Sequence, residues 1–141
     1  MPYEYLDHQA DLGIRGIGRT PQEAFSEGAQ AMLAAMADLA NVKCEQQWTQ
    51  RCTAPDMASL FVEWLNELLY QREIYDALFC QVHVSRLERA EQGWILEGIA
   101  CGETLDSRRH TIHSEVKAAT DSGLAYRQEQ DQYIVQCIVD L

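Results

Sequence analysis

Apolar and polar positions along the chain change their period several times, and each change marks an element. Residues 3–18 alternate loosely and contain Gly13, Gly16 and Gly18, which predicts two short extended pieces joined around Asp7-His8-Gln9-Ala10-Asp11. Thr20-Pro21-Gln22-Glu23 then reads as a helix start, with Thr20 as cap, Pro21 at the first helical position and Glu23 where a capping box places its acid. Phe25, Ala29, Met32, Leu33 and Met36 follow at helical spacing, so this helix runs to about 38–41. A short strand over 48–53 is punctuated by Ala54-Pro55-Asp56. A second helix over 57–72 carries Leu60, Phe61, Trp64, Leu65, Leu68 and Leu69 on one face, with Asp56 as its cap.

Beyond Tyr75 the period becomes strand-like. Segments 79–87 and 94–101 predict a hairpin turning through Ala90-Glu91-Gln92-Gly93. Strands over 110–120 and 133–140, with a shorter extended piece over 124–127, complete the set. Two helices with strands concentrated in the second half predict an α+β class. The simplest architecture is a two-layer sandwich in one domain, 1–141, with both helices on one face of a mixed sheet.

Composition narrows the partners more than the fold. The 141 residues include 22 acids against 11 Lys and Arg, a formal charge of −11, and 47% hydrophobic residues, enough for a core. Phosphate recognition needs a surplus of basic side chains, so direct nucleic-acid binding and docking on anionic lipid are both disfavoured. Residues 1–5 lack the basic region and apolar run of a signal peptide, and no apolar stretch approaches a membrane span, which predicts a cytoplasmic protein. Five cysteines, an odd number with no C-x-x-C spacing, predict reduced thiols rather than a disulfide framework or a zinc site.

Candidate chemistry is sparse. Asp7, His8 and Asp11 place three ligand-capable groups in one turn, an oxygen-rich set suited to Zn, Mn, Mg or Ca, although taken alone the turn is better explained by ordinary turn hydrogen bonding. The apolar end Ile138-Val139-Asp140-Leu141 sets an acid beside the chain carboxylate; were this strand to lie next to Asp11, three carboxylates would converge and call for a cation. Glu103, Asp106, Arg108, Arg109 and His110 read first as a solvated loop and second as a partner contact. Lys117, in a segment otherwise apolar or small, reads as a snorkelling surface side chain unless carboxylates lie close by. No phosphate-binding loop, nucleophile elbow or Ser/Cys–His pairing occurs, and so poor a catalytic inventory suits a protein that assists another.

Taken in order, Asp7-His8-Gln9-Ala10-Asp11-Leu12-Gly13-Ile14, Pro21-Gln22-Glu23-Ala24-Phe25, Trp64-Leu65-Asn66-Glu67-Leu68-Leu69-Tyr70, Gly102-Glu103, Val116-Lys117-Ala118 with Thr120, and the terminal Val139-Asp140-Leu141 resemble the archease family over nearly the whole chain. Gln9, where the family usually has Thr, and Ala119 and Asp121 depart from its pattern, and none of them is a proposed metal ligand. The Asp121 change bears on packing or partner contact at that edge. The resemblance implies a non-enzymatic activator of an RtcB-type RNA ligase in tRNA splicing or RNA repair, promoting ligase guanylylation and multiple turnover. It also implies one divalent cation, calcium by preference, held by Asp11, Asp140 and Leu141, with Asp7 and His8 around them and Lys117 as the candidate ligase-assisting residue. A small metal-dependent hydrolase and a general chaperone or interaction module are the alternatives.

Overall fold

The structure is a computed structural model that describes residues 2–7 and 11–141, the side chain of Asp7 excepted. Seven strands and two long helices form in the order β1 (Tyr3–Asp7), β2 (Asp11–Gly18), α1 (Pro21–Met36), β3 (Gln46–Ala54), α2 (Met57–Ile74), β4 (Ala77–Ala90), β5 (Gly93–Thr104), β6 (Ala118–Glu129) and β7 (Gln132–Asp140), with a 3-10 turn at Leu39–Asn41. Both predicted caps are made: the Glu23 amide donates to Thr20 Oγ1 at 3.1 Å and the Ser59 amide to Asp56 Oδ1 at 2.8 Å. Each satisfies an amide that the first helical turn leaves without a partner.

The α+β class holds, but a single mixed sheet does not. The strands form two sheets, β1-β2-β7-β6 and β3-β5-β4, and every pairing is antiparallel. The reason is strand insertion. Helix α2 carries the chain from β3 to a parallel β4, yet β5 returns through a hairpin into the slot between them. β7 likewise fills the slot between β2 and β6. No two parallel strands are left as neighbours, and each insertion costs only a tight turn.

One apolar core joins both helices to both sheets. Phe25 of α1 meets Phe61 of α2 edge to face, with ring centroids 5.4 Å apart. Helix α1 lies so close on β2 that a Cβ on Gly16 would stand 1.9 Å from the Ala24 carbonyl oxygen, so the close approach itself requires glycine. Trp64, fully buried, donates from Nε1 to Gln50 at 3.2 Å, and Gln50 donates to Gln71 at 2.9 Å, a closed polar set tying α2 to β3.

Two further expectations are corrected. A strand over 110–120 does not form, and only Ala118–Thr120 enters β6. The preceding stretch finds its backbone partners on the end of α1 instead, where His113 donates to the Met36 carbonyl at 2.9 Å and Ser114 to that of Ala35 at 3.1 Å. The cysteines are not all reduced thiols, since Cys44 and Cys101 form a disulfide across 5.0 Å between Cα atoms. The pairing of β3 with β5 brings together residues 57 positions apart, which spacing in the sequence does not reveal. Cys52 and Cys137 are buried free thiols, each pushed up to about 12, chiefly by burial.

Candidate functional site: an acidic sheet end and its neighbours

Strands β2 and β7 run side by side with Asp11 directly opposite Asp140. In an antiparallel pair, opposed residues project to the same face. That face is the outer one. Ile14 and Val139, of the other parity, are fully buried, whereas Arg15, in phase with Asp11, bonds Gln136 and Glu4 on the outside. Two carboxylates thus leave one sheet surface side by side, with exposed Leu141 one residue on. Among the described residues no Lys or Arg nitrogen lies within ion-pair distance of either aspartate. Nor, among them, do three His, Cys, Asp or Glu side chains gather tightly enough to enclose a metal unaided. Asp7 enters through its backbone, paired with Leu12, and His8 lies outside the described residues.

The set fits a hard divalent cation. It offers only oxygen donors, and opposed like charges on neighbouring strands repel unless a cation joins them. Asp11, Asp140 and Leu141 would hold such an ion.

The backbone of Lys117 docks at the same sheet end, its amide donating to the Asp140 carbonyl at 2.8 Å. Lys117, an exposed residue, also lines a groove against α2 with Asn66, Tyr70, Glu73 and Glu115. Asn66 fixes the adjoining strand, accepting the Ala119 amide at 2.8 Å and donating to the Ala119 carbonyl at 3.1 Å. Helical spacing alone marks Asn66 as one polar position beside an apolar stripe, so this clamp is invisible before folding.

Glu103 lies where a solvated loop was expected, and it is buried, with 4% of its surface exposed. Arg109 pairs with Oε1, His110 Nε2 lies 2.9 Å from Oε2, and the Lys43 amide donates to Oε2 at 2.8 Å. His110 Nδ1 accepts the Asp106 amide at 2.8 Å, which leaves the ring proton on Nε2, pointing at Glu103. These donors, Arg109 foremost and then His110 and the Lys43 amide, hold the Glu103 carboxyl down to about 2. The cluster pins the loop that leads to Lys117. Only the acid, arginine and histidine within eight residues hinted at it.

The Archease protein family model matches residues 3–141. This chain belongs to the archease family. The archease of Methanopyrus kandleri is 33% identical over the whole of both chains, and that of Thermococcus gammatolerans is 33% identical over 99% of this chain and 98% of its own. Among solved structures, the solution structure of protein 1598 from Methanobacterium thermoautotrophicum superposes with a TM-score of 0.85 at 28% identity, covering 99% of each chain. A Thermotoga maritima archease, described as a possible chaperone, shares the fold at a TM-score of 0.58 and 14% identity, over 96% of this chain and 94% of its own. The archease pattern therefore spans this chain from β1 to its last residue. No helix among the described residues is long and apolar enough to cross a membrane.

Proposed function

We propose that this archease is a non-enzymatic, cytoplasmic activator of an RtcB-type RNA ligase, acting in tRNA splicing or RNA repair. The observation that carries the reading is the register of β2 and β7, which sets Asp11 opposite Asp140. Asp11, Asp140 and Leu141 hold one divalent cation, calcium by preference, with Asp7 and His8 beside them. Bound there, the ion would neutralise the opposed carboxylates, with oxygens of Asp11, Asp140 and Leu141 as its ligands. The protein's own part is to present this tip, with Lys117 behind it, to the cationic, metal-containing cleft of the ligase. A chain of formal charge −11 meets such a cleft faster at low salt and touches the enzyme rather than its RNA.

The test is ligase guanylylation followed with the wild-type chain and with Asp11→Ala, Asp140→Ala and a chain lacking Leu141. Each change is expected to reduce activation by about tenfold or more, the scale on which metal sites respond to lost contacts. Full activation by all three would sink the proposal. Phosphoester turnover by the isolated, calcium-loaded protein would replace it with a hydrolase.

A further inference from the structure

A third cysteine stands beside the disulfide. Cys80, a free half-buried thiol on β4, has its Sγ 4.0 Å from Cys101 Sγ, and Cys101 in turn is bonded to exposed Cys44. The fold makes this convergence in a definite way. Cys101 lies on the central strand β5; Cys80 sits at the irregularity of β4, between the Phe79 and Gln81 pairings; Cys44 lies two residues before the start of β3. All three line one open groove of about 560 Å³ on the three-stranded sheet, with Cys44 exposed, Cys80 half-buried and Cys101 buried. Buried Cys52 and Cys137 take no part.

We propose that Cys44, Cys80 and Cys101 form a thiol–disulfide exchange site, in which the bond to Cys101 passes between Cys44 and Cys80. The Cys80 thiol loses its proton to water, and the resulting thiolate attacks Cys101 Sγ. A Cys80–Cys101 bond forms as the Cys44–Cys101 bond breaks, and the electron pair leaves on Cys44 Sγ, which takes up a proton from water. One disulfide and one thiol stand on each side, so the step consumes no oxidant. The product exposes Cys44 as the thiol that exchanges with low-molecular-weight disulfides of the glutathione class. Cys44 also lies between two residues held to the sheet, with the Lys43 amide on Glu103 and the Glu45 amide on the Gly102 carbonyl at 3.0 Å. Exchange therefore removes the covalent tie at Cys44 while these two hydrogen bonds keep the segment beside the Glu103 cluster.

The charged groups around Cys80 set the pH response. Glu103 of β5 faces it, and Glu27 of α1 and His83 of β4 line the same groove. Burial first, and Glu103 as a lesser cause, push the Cys80 thiol up, while a backbone hydrogen bond opposes them. Exchange is thus slow at neutral pH and accelerates as pH rises, by about tenfold per unit while the thiolate is scarce.

The test uses the full chain oxidised with oxidised glutathione, freed of reagent, held at pH 7 or pH 9, then acid-quenched, alkylated and digested at low pH for mass-spectrometric mapping. The expected result is a Cys44–Cys101 linkage at pH 7, with Cys80–Cys101 peptides and alkylated Cys44 accumulating faster at pH 9. Cys80→Ser should retain only the Cys44–Cys101 linkage, and Cys44→Ser should form Cys80–Cys101 directly. Absence of any Cys80–Cys101 linkage in both the wild-type chain and Cys44→Ser overturns the proposal.

Discussion

Two carboxylate clusters in this protein meet the same electrostatic problem in opposite ways. Glu103 is buried and fully partnered from within the chain by Arg109, His110 and the Lys43 amide. Asp11 and Asp140 stand opposed on an outer sheet face, and among the described residues neither forms an ion pair with a Lys or Arg side chain. A buried charge must be neutralised by the fold or it opposes folding. A pair in which Asp11 is half-buried and Asp140 exposed stays in contact with water and remains available to an outside cation. The contrast separates a structural latch from a candidate cation site without appeal to residue type, since both are built on acids.

The comparison breaks most readily at the latch. Replacing Glu103 with Ala strands the His110 ring proton and the Lys43 amide, and thermal melting should show a midpoint lower by roughly 5–10 °C. A midpoint equal to wild type would mean that the cluster does not hold the loop. The same group dictates behaviour in acid. Its folded value, about 2, lies below the ordinary 4.5, so its contribution is full above about 4.5 and is lost as pH falls from there towards 2. Glu103→Gln should flatten the decline of the melting midpoint across that window, and an unchanged slope would assign acid sensitivity elsewhere.

The tip should respond to metal where the latch does not. Calcium at about a hundredfold excess over its Kd is expected to stabilise the wild-type chain by ~2.7 kcal/mol, with chelator reversing the shift. Asp11→Asn with Asp140→Asn should abolish that shift, and its persistence would move the cation elsewhere. The smallest effect is expected without metal. Asp11→Asn alone relieves the opposed charges and should raise stability by ~0.2–1 kcal/mol, read by urea unfolding in chelator. A clear loss would show that Asp11 makes a contact inside the fold.

Local signals were legible from the chain alone wherever one or two turns of backbone decide the outcome. Thr20 and Asp56 cap the helices as read, and the Ala90–Gly93 turn closes the β4–β5 hairpin. The segment before Lys117 was misread as a strand because its backbone partners are the last carbonyls of α1, remote in sequence. Glu103 was misread as solvated for the same reason: nothing in a local window shows that Lys43 would come to lie against it. β6 also looked like two pieces, 124–127 and the end of 110–120. It is one strand with four residues, Asp121 to Leu124, set against Cys137 alone, and Gly123 takes φ +61 within that excursion.

By itself the sequence determined the two helices with their caps and the acids available for a tip, since these depend on neighbours within a few residues. The tertiary structure alone decided which strands became neighbours. Inserting β5 between β3 and β4, and β7 between β2 and β6, made both sheets antiparallel. The first insertion brought Cys44 to Cys101, and the second placed Asp140 opposite Asp11. Contacts between positions 57 or more apart depend on the packing of the whole core, and no short-range pattern encodes them.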